Sequence, residues 1–243
     1  MTTFAAVLSD LLRTDAGRPL VTFYDEATGE RTELSVTTYA NWVAKTASLL
    51  VEELDLERGS TLRVDLPVHW LGPVALGAAW SAGLVLTGRD DPDAVLCGPD
   101  ALPRWAAAAG AGGRPVVLAS ALHPLGRPYA DGVPPGVHDL GAEVWSQPDA
   151  FTPWDPPGPD DVAHDLDGAA VTQAQVWRTA AAGSLLTDGG RLLSETDPAS
   201  PPGVASFTEP LHRRGSLVLV TRAARERLEA IAASERTTAR FPA

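Results

Sequence analysis

The sequence is poor in cysteine, lysine and basic clusters, and each shortage removes a class of function. One of the 243 residues is a cysteine, Cys97, so no internal disulfide framework and no CxxC zinc site can be built. Lys45 is the single lysine; it lies on an amphipathic helix and is expected to be a solvated surface residue. Such a bias toward arginine is what a bacterial genome of high G+C content produces. Acids outnumber bases 31 to 19, for a net charge of −12, and no basic cluster exceeds the pair Arg213-Arg214. Phosphate backbones and anionic lipid surfaces are repelled by such a chain, which argues against nucleic-acid and membrane partners. The start, MTTFAAVLSDLLRTD, has no basic segment and its apolar stretch is interrupted by Asp10, so no targeting signal is read and a cytoplasmic location is expected. The uncharged run from Leu66 to Gly88 approaches the roughly 20 residues of a membrane span. Pro67, Pro73 and three glycines divide it instead into a buried helix, Trp70 to Ala82, and a strand, Leu84 to Thr87.

With 44% hydrophobic and 21% charged residues, the chain has ample material for a folded α/β domain, taken as one unit over 1–243. Leu20 to Tyr24 and Arg31 to Ser35 read as a hairpin around Asp25-Glu26-Ala27-Thr28-Gly29. Ser35 then caps a helix whose stripe is Tyr39, Val43, Ala47, Leu50 and Leu54. Thr61 to Leu66 alternates as a strand with one buried side. Ala94 to Cys97 and Val116 to Leu118 are further strands flanking a helix from Leu102 to Ala109, and this alternation predicts a mostly parallel sheet covered by helices. Gly110-Ala111-Gly112-Gly113 follows a helix rather than a strand, the wrong order for a dinucleotide fingerprint, and reads as a helix-ending turn. His123 to Asp161 carries nine prolines and is expected to be a loop-rich connection, with 148–159 its most protease-sensitive part. Strands at Gly168 to Thr172, Arg191 to Ser194 and Gly215 to Val220 and helices at Gln173 to Leu186 and Ala223 to Ala233 complete the reading.

The blocks TFYDEATGERTELSVTTYANWVAKTASLL, LERGSTLRVDLP and WLGPVALGAAWSAGLVL, followed by DGAAVTQAQVWRTAAA, TDGGRLLS and PLHRRGSLVLV, have a telling order and spacing. Together they resemble the N-terminal part of the adenylate-forming superfamily of acyl-CoA synthetases, nonribosomal peptide adenylation domains and luciferases. The resemblance implies that superfamily's fold over nearly the whole chain, covering only the first half of its large domain. In that family a Ser/Thr/Gly-rich loop ending in Pro-Lys-Gly follows an Asp-Asp-x-Ala segment and holds the ATP phosphates through backbone N–H groups and a lysine. Here Asp160-Asp161-Val162-Ala163 is followed by the short acidic stretch His164-Asp165-Leu166-Asp167-Gly168, and the family's Thr-His is replaced by Thr172-Gln173. The family's adenine-stacking segment, its ribose-gripping aspartate and its C-terminal catalytic subdomain have no counterpart before Ala243.

These departures lead to the expectation of a noncatalytic interaction or regulatory module, with no cofactor, no metal and no catalytic residue. A small-ligand binder keeping part of an acyl or nucleotide pocket is the alternative, with His164, Asp165, Asp167, Thr172, Gln173 and Trp177 as its candidate residues. A further alternative is ligase-related activity in the presence of a complementing partner chain. His164 and the nearby aspartates match no complete metal motif and are expected to form a solvated acidic turn before a strand. Cys97, His69, Trp70 and Trp80 are expected in the core. An incomplete parallel sheet invites association, so a homodimer or another protein partner is expected, with Leu228, Ile231 and Ala232 of the last helix forming part of the patch.

Overall fold

The computed structural model describes residues 2–109 and 114–242; the stretch Gly110 to Gly113, expected to be a helix-ending turn, lies outside them. In chain order the elements begin with α1 (Phe4–Asp15), β1 (Pro19–Asp25), β2 (Glu30–Ser35), α2 (Val36–Ser48, continued by a π-helical turn over Leu49–Glu53), β3 (Thr61–Asp65) and α3 (Leu71–Ala82). Next come β4 (Val85–Thr87), β5 (Ala94–Cys97), α4 (Leu102–Ala109), β6 (Val116–Ala119), β7 (Val137–Asp139), α5 (Leu140–Glu143) and β8 (Val162–Asp165). The remainder is β9 (Val171–Thr172), α6 (Gln173–Ala182), β10 (Arg191–Ser194), α7 (Val204–His212), β11 (Ser216–Thr221), α8 (Arg225–Ser234) and β12 (Ala239–Phe241). They form two compact units, one of Met1–Ala40, Val68–Pro73 and Ala174–Ala243, the other of Asn41–Pro67 and Val74–Gln173.

The first unit holds a five-stranded sheet in the order β12-β10-β11-β1-β2, parallel except for the β1–β2 hairpin. Its aromatic core joins Phe4 to Tyr39 at 6.5 Å and to Trp177 at 6.4 Å between ring centroids, while Phe207 lies 5.7 Å from Tyr39. Phenolic oxygens are costly to bury alone, and the Tyr39 hydroxyl donates to the Pro73 carbonyl at 3.0 Å. A second cluster packs Ile231 and Ala232 of α8 against Tyr24, Leu193, Val218 and Val220, with Leu228 beside them. The α8 face expected to meet a second chain is therefore used inside this one. Apolar faces seek the nearest apolar cover, and β10, β11 and β1 provide it.

The second unit holds a seven-stranded sheet, β7-β6-β5-β3-β4-β8-β9, parallel except at β8–β9. Val95, Cys97, Trp105, Val117 and Ala119 form one core cluster. Each of the two valines removed from water contributes about 2 kcal/mol. Burial pushes the Cys97 thiol up to about 12. The Trp105 indole N–H donates to Asp65 at 2.7 Å, and that of Trp80 to the Ala163 carbonyl at 3.1 Å. α3 is buried along most of its length, which explains its lack of charge without a membrane. Among the described residues no helix is long and apolar enough to cross one.

Ser35 caps α2 as expected, its hydroxyl accepting from the Thr38 N–H at 3.1 Å. The stripe stays buried to Leu54 because the π turn adds one residue per turn, with the Leu54 N–H bonding the Leu49 carbonyl at 3.1 Å. The 123–161 stretch is largely irregular as expected, interrupted by the short β7 and α5. α1, α7 and β12 were not legible. The reason is plain in α7: it carries Pro210 and buries Ser206, Thr208 and Glu209, so no apolar stripe marks it.

Candidate functional site

The acidic stretch after Ala163 lies in a short hairpin. β8 pairs with β4 through Leu86↔His164 and Thr87↔Asp165, and with β9 through Val162↔Thr172 and His164↔Val171. His164 and Asp165 thus belong to a strand, not to the solvated turn expected for them. The turn proper closes after Asp165, whose carbonyl accepts from the Gly168 N–H at 3.1 Å, while Asp167 Oδ1 accepts from the Ala169 N–H at 3.2 Å. Gly168 has φ of +85°, and a Cβ on Gly88 would come 2.5 Å from the Leu166 carbonyl oxygen. Glycine is what lets the turn lie against the end of β4.

Electrostatically the hairpin suits a cation better than an anion. Burial lowers the His164 pKa, only partly opposed by Asp167 and Asp165, so the imidazole is neutral at pH 7. Its Nδ1 and the Asp165 Oδ1 are buried with no hydrogen-bond partner among the described residues. Adjacent strand residues point to opposite faces, so these two atoms do not converge on one ligand. Thr172 is half-buried. Gln173 is buried, with its amide donating to the Trp80 carbonyl at 3.0 Å. Trp177 stacks on Phe4 in the first unit's core. Among the described residues no three His, Cys, Asp or Glu side chains gather as metal ligands.

Three polar arrangements escaped the sequence. Lys45, expected in solvent, has a side chain only 16% exposed, with its ammonium 3.2 Å from Asp149 and donating to the Gln147 carbonyl. Its partners lie about a hundred positions away, beyond any local pattern. Asp197 is largely buried, and burial pushes its carboxyl up to about 6 against a single opposing hydrogen bond from the Ala199 N–H. Glu209, also buried, accepts from the Leu185 and Leu186 N–H groups at 2.5 and 3.2 Å. The signal for Asp197 was masked by Pro198, Pro201 and Pro202, which read as loop punctuation.

A protein from Mycobacterium tuberculosis (strain ATCC 25618 / H37Rv), described as a TIGR03089 family protein, is 39% identical over 203 residues, which make up 81% of this chain and 79% of that protein. The chain belongs to the TIGR03089 family. No protein-family profile matches it. In three dimensions this TIGR03089 family chain is similar to an acyl-CoA synthetase from Brucella canis, with a TM-score of 0.79 at 15% identity over 98% of this chain and 47% of that one. A benzoate CoA ligase from Burkholderia xenovorans LB400 gives 0.75 at 19% identity, over 98% of this chain and 49% of the ligase. The N-terminal domain of FACL13 from Mycobacterium tuberculosis gives 0.73 at 15% identity, over 98% and 62%. The TIGR03089 family chain has the fold of the N-terminal part of the adenylate-forming enzymes. It spans about half the length of the first two solved structures.

Proposed function

We propose that this TIGR03089 family chain is a noncatalytic relative of the adenylate-forming enzymes and acts as an interaction module in the cytoplasm. The observation that carries this reading is the β8–β9 hairpin. A triphosphate is gathered by free N–H groups and cations. At this hairpin the N–H groups of Gly168 and Ala169 are already bonded within the turn, His164 is neutral, and Asp165 and Asp167 supply negative charge. Two carboxylates beside phosphate oxygens add repulsion of order several kcal/mol at the effective dielectric of a protein surface.

Exchange of labelled pyrophosphate into ATP tests the proposal. Purified chain incubated with a panel of aliphatic and aromatic carboxylic acids is expected to give no exchange above a buffer control. Exchange that copurifies with the chain through two orthogonal columns would overturn it. The same reading includes self-association. With the α8 face occupied, the strand edges at β2, β7, β9 and β12 are where a second copy would pair. Light scattering coupled to size exclusion is expected to show twice the monomer mass at high micromolar concentration, and a monomer there would leave partner binding as the module's role.

A further inference from the structure

Residue Trp154 is 93% exposed, although it is among the largest apolar side chains in the sequence. Its surroundings hold it in place. Pro153, Pro156 and Pro157 restrict the backbone on either side, and the following Asp155 is tied to Arg58 Nη1 at 2.7 Å. Arg58 also grips Asp161, and with Pro157 it packs where Gly83 has no side chain, a Cβ there falling 2.9 Å from Arg58 Cγ and 3.3 Å from Pro157 Cβ. An exposed aromatic ring on a stiffened strap loses little conformational entropy when it is covered, the property of an interface anchor.

Beside the ring lies an open cleft of about 400 Å³ with Val51, Leu56 and Ala82 in its lining. Its charged lining is Asp55, Glu57, Asp155 and Arg58. Since Arg58 is already shared between Asp155 and Asp161, the charge left over is negative, and exposed Glu52 and Glu53 precede it on the π turn.

We propose that this cleft docks a basic segment of a partner protein. One arginine or lysine of that segment lays its cation over the Trp154 ring, its aliphatic stem along Val51 and Leu56, and its charge toward Asp55 and Glu57. An indole face attracts a cation through its quadrupole, and unpaired carboxylates at the rim complete the match. The proposal deepens the interaction-module reading and rests on it.

A fluorescein-labelled Gly-Arg-Leu-Arg-Leu-Arg peptide titrated into the full chain, followed by anisotropy, provides the test. Saturable binding is expected that weakens at least tenfold in Trp154→Ala and at least fivefold in Asp55→Asn/Glu57→Gln. It should also weaken at high salt and vanish when the peptide's arginines become glutamines. Trp154→Ala removes an exposed side chain, so its thermal midpoint should match the parent and a folding defect is not an explanation. Absence of binding, unchanged affinity in Trp154→Ala, or an equal loss in the control Asp131→Asn/Glu226→Gln would each overturn the assignment. Pyrophosphate exchange on the same samples separates the two readings. Exchange together with Trp154-dependent binding removes the noncatalytic reading and keeps the cleft; Trp154-independent binding without exchange does the reverse.

Discussion

Arg58 grips Asp161 from two of its nitrogens, with Nη2 2.7 Å from Oδ1 and 2.9 Å from Oδ2 and Nε 3.2 Å from Oδ1. The pair spans 103 positions and fastens one end of the proline-rich strap, while the Lys45–Asp149 ion pair fastens the other. The expectation that 148–159 is open to proteases took account of its prolines and not of these clamps. Arg58→Ala should release the strap and speed cleavage within 148–159 severalfold under limiting protease, with little change in global unfolding. Mass mapping of the first fragments checks this, and a first cut elsewhere at the parental rate would show the clamp to be idle.

A buried imidazole makes the first unit sensitive to acid. His69 lies 4.9 Å from the Phe23 ring, and its Nδ1 accepts from the Leu71 N–H at 3.3 Å. Burial pushes its pKa from 6.5 down to about 3, despite the favourable charge of Asp25. The unfolded chain therefore takes up a proton in a range where the folded chain does not. The stability this group provides is complete above about pH 6.5 and is lost as pH falls toward 3, with about 2 kcal/mol gone by pH 5. His69→Asn keeps an acceptor for Leu71 without titrating. Urea midpoints at pH 7 and pH 5 should differ less in this variant than in the parent.

Asp197 works in the opposite sense. Its folded pKa of about 6 stands above the ordinary 3.8, so the folded chain holds the proton that the unfolded chain gives up. The contribution of the neutral carboxyl is complete below about pH 4 and lost as pH rises through 6. Asp197→Asn preserves the acceptor for the Ala199 N–H and removes the buried charge. It should raise stability by about 3 kcal/mol at pH 7 and by almost nothing at pH 3.5. Thermal midpoints across that range measure the gain, and a constant offset at every pH would point to packing instead.

The Tyr39 hydroxyl is the group that satisfies the Pro73 carbonyl inside the first unit's core. Tyr39→Phe keeps the ring contacts with Phe4 and Phe207 and deletes the donor. A loss of about 1 kcal/mol in urea-measured stability is expected, with an unchanged denaturant slope. No loss would mean that the carbonyl finds another donor.

Periodic elements were legible because their signal is local. Ala94–Cys97 and Leu102–Ala109 have the expected bounds, and the β1–β2 hairpin falls where Asp25 to Gly29 provide the turn. α1, α7 and β12 were missed, and α6 stops at Ala182 short of Leu186. In the candidate site the sequence singled out the acidic stretch, but not that His164 and Asp165 lie in a strand, since β8 is four residues long and defined by pairing with β4 rather than by pattern.

By itself the sequence determined the α/β alternation, the buried thiol and uncharged helix, the excess of negative charge, and the short acidic stretch after Ala163. All of these follow from composition or from spacing over a few residues, where side-chain periodicity and backbone preference act directly. The tertiary structure decided which charges are matched and which apolar faces are spent. Lys45 met Asp149 and Arg58 met Asp161, α8 turned its apolar face onto β10 and β11, and Trp154 was left in water. The two ion pairs join segments about a hundred positions apart, and the cover for α8 comes from separate strands brought together by the sheet, so no short window of sequence contains either.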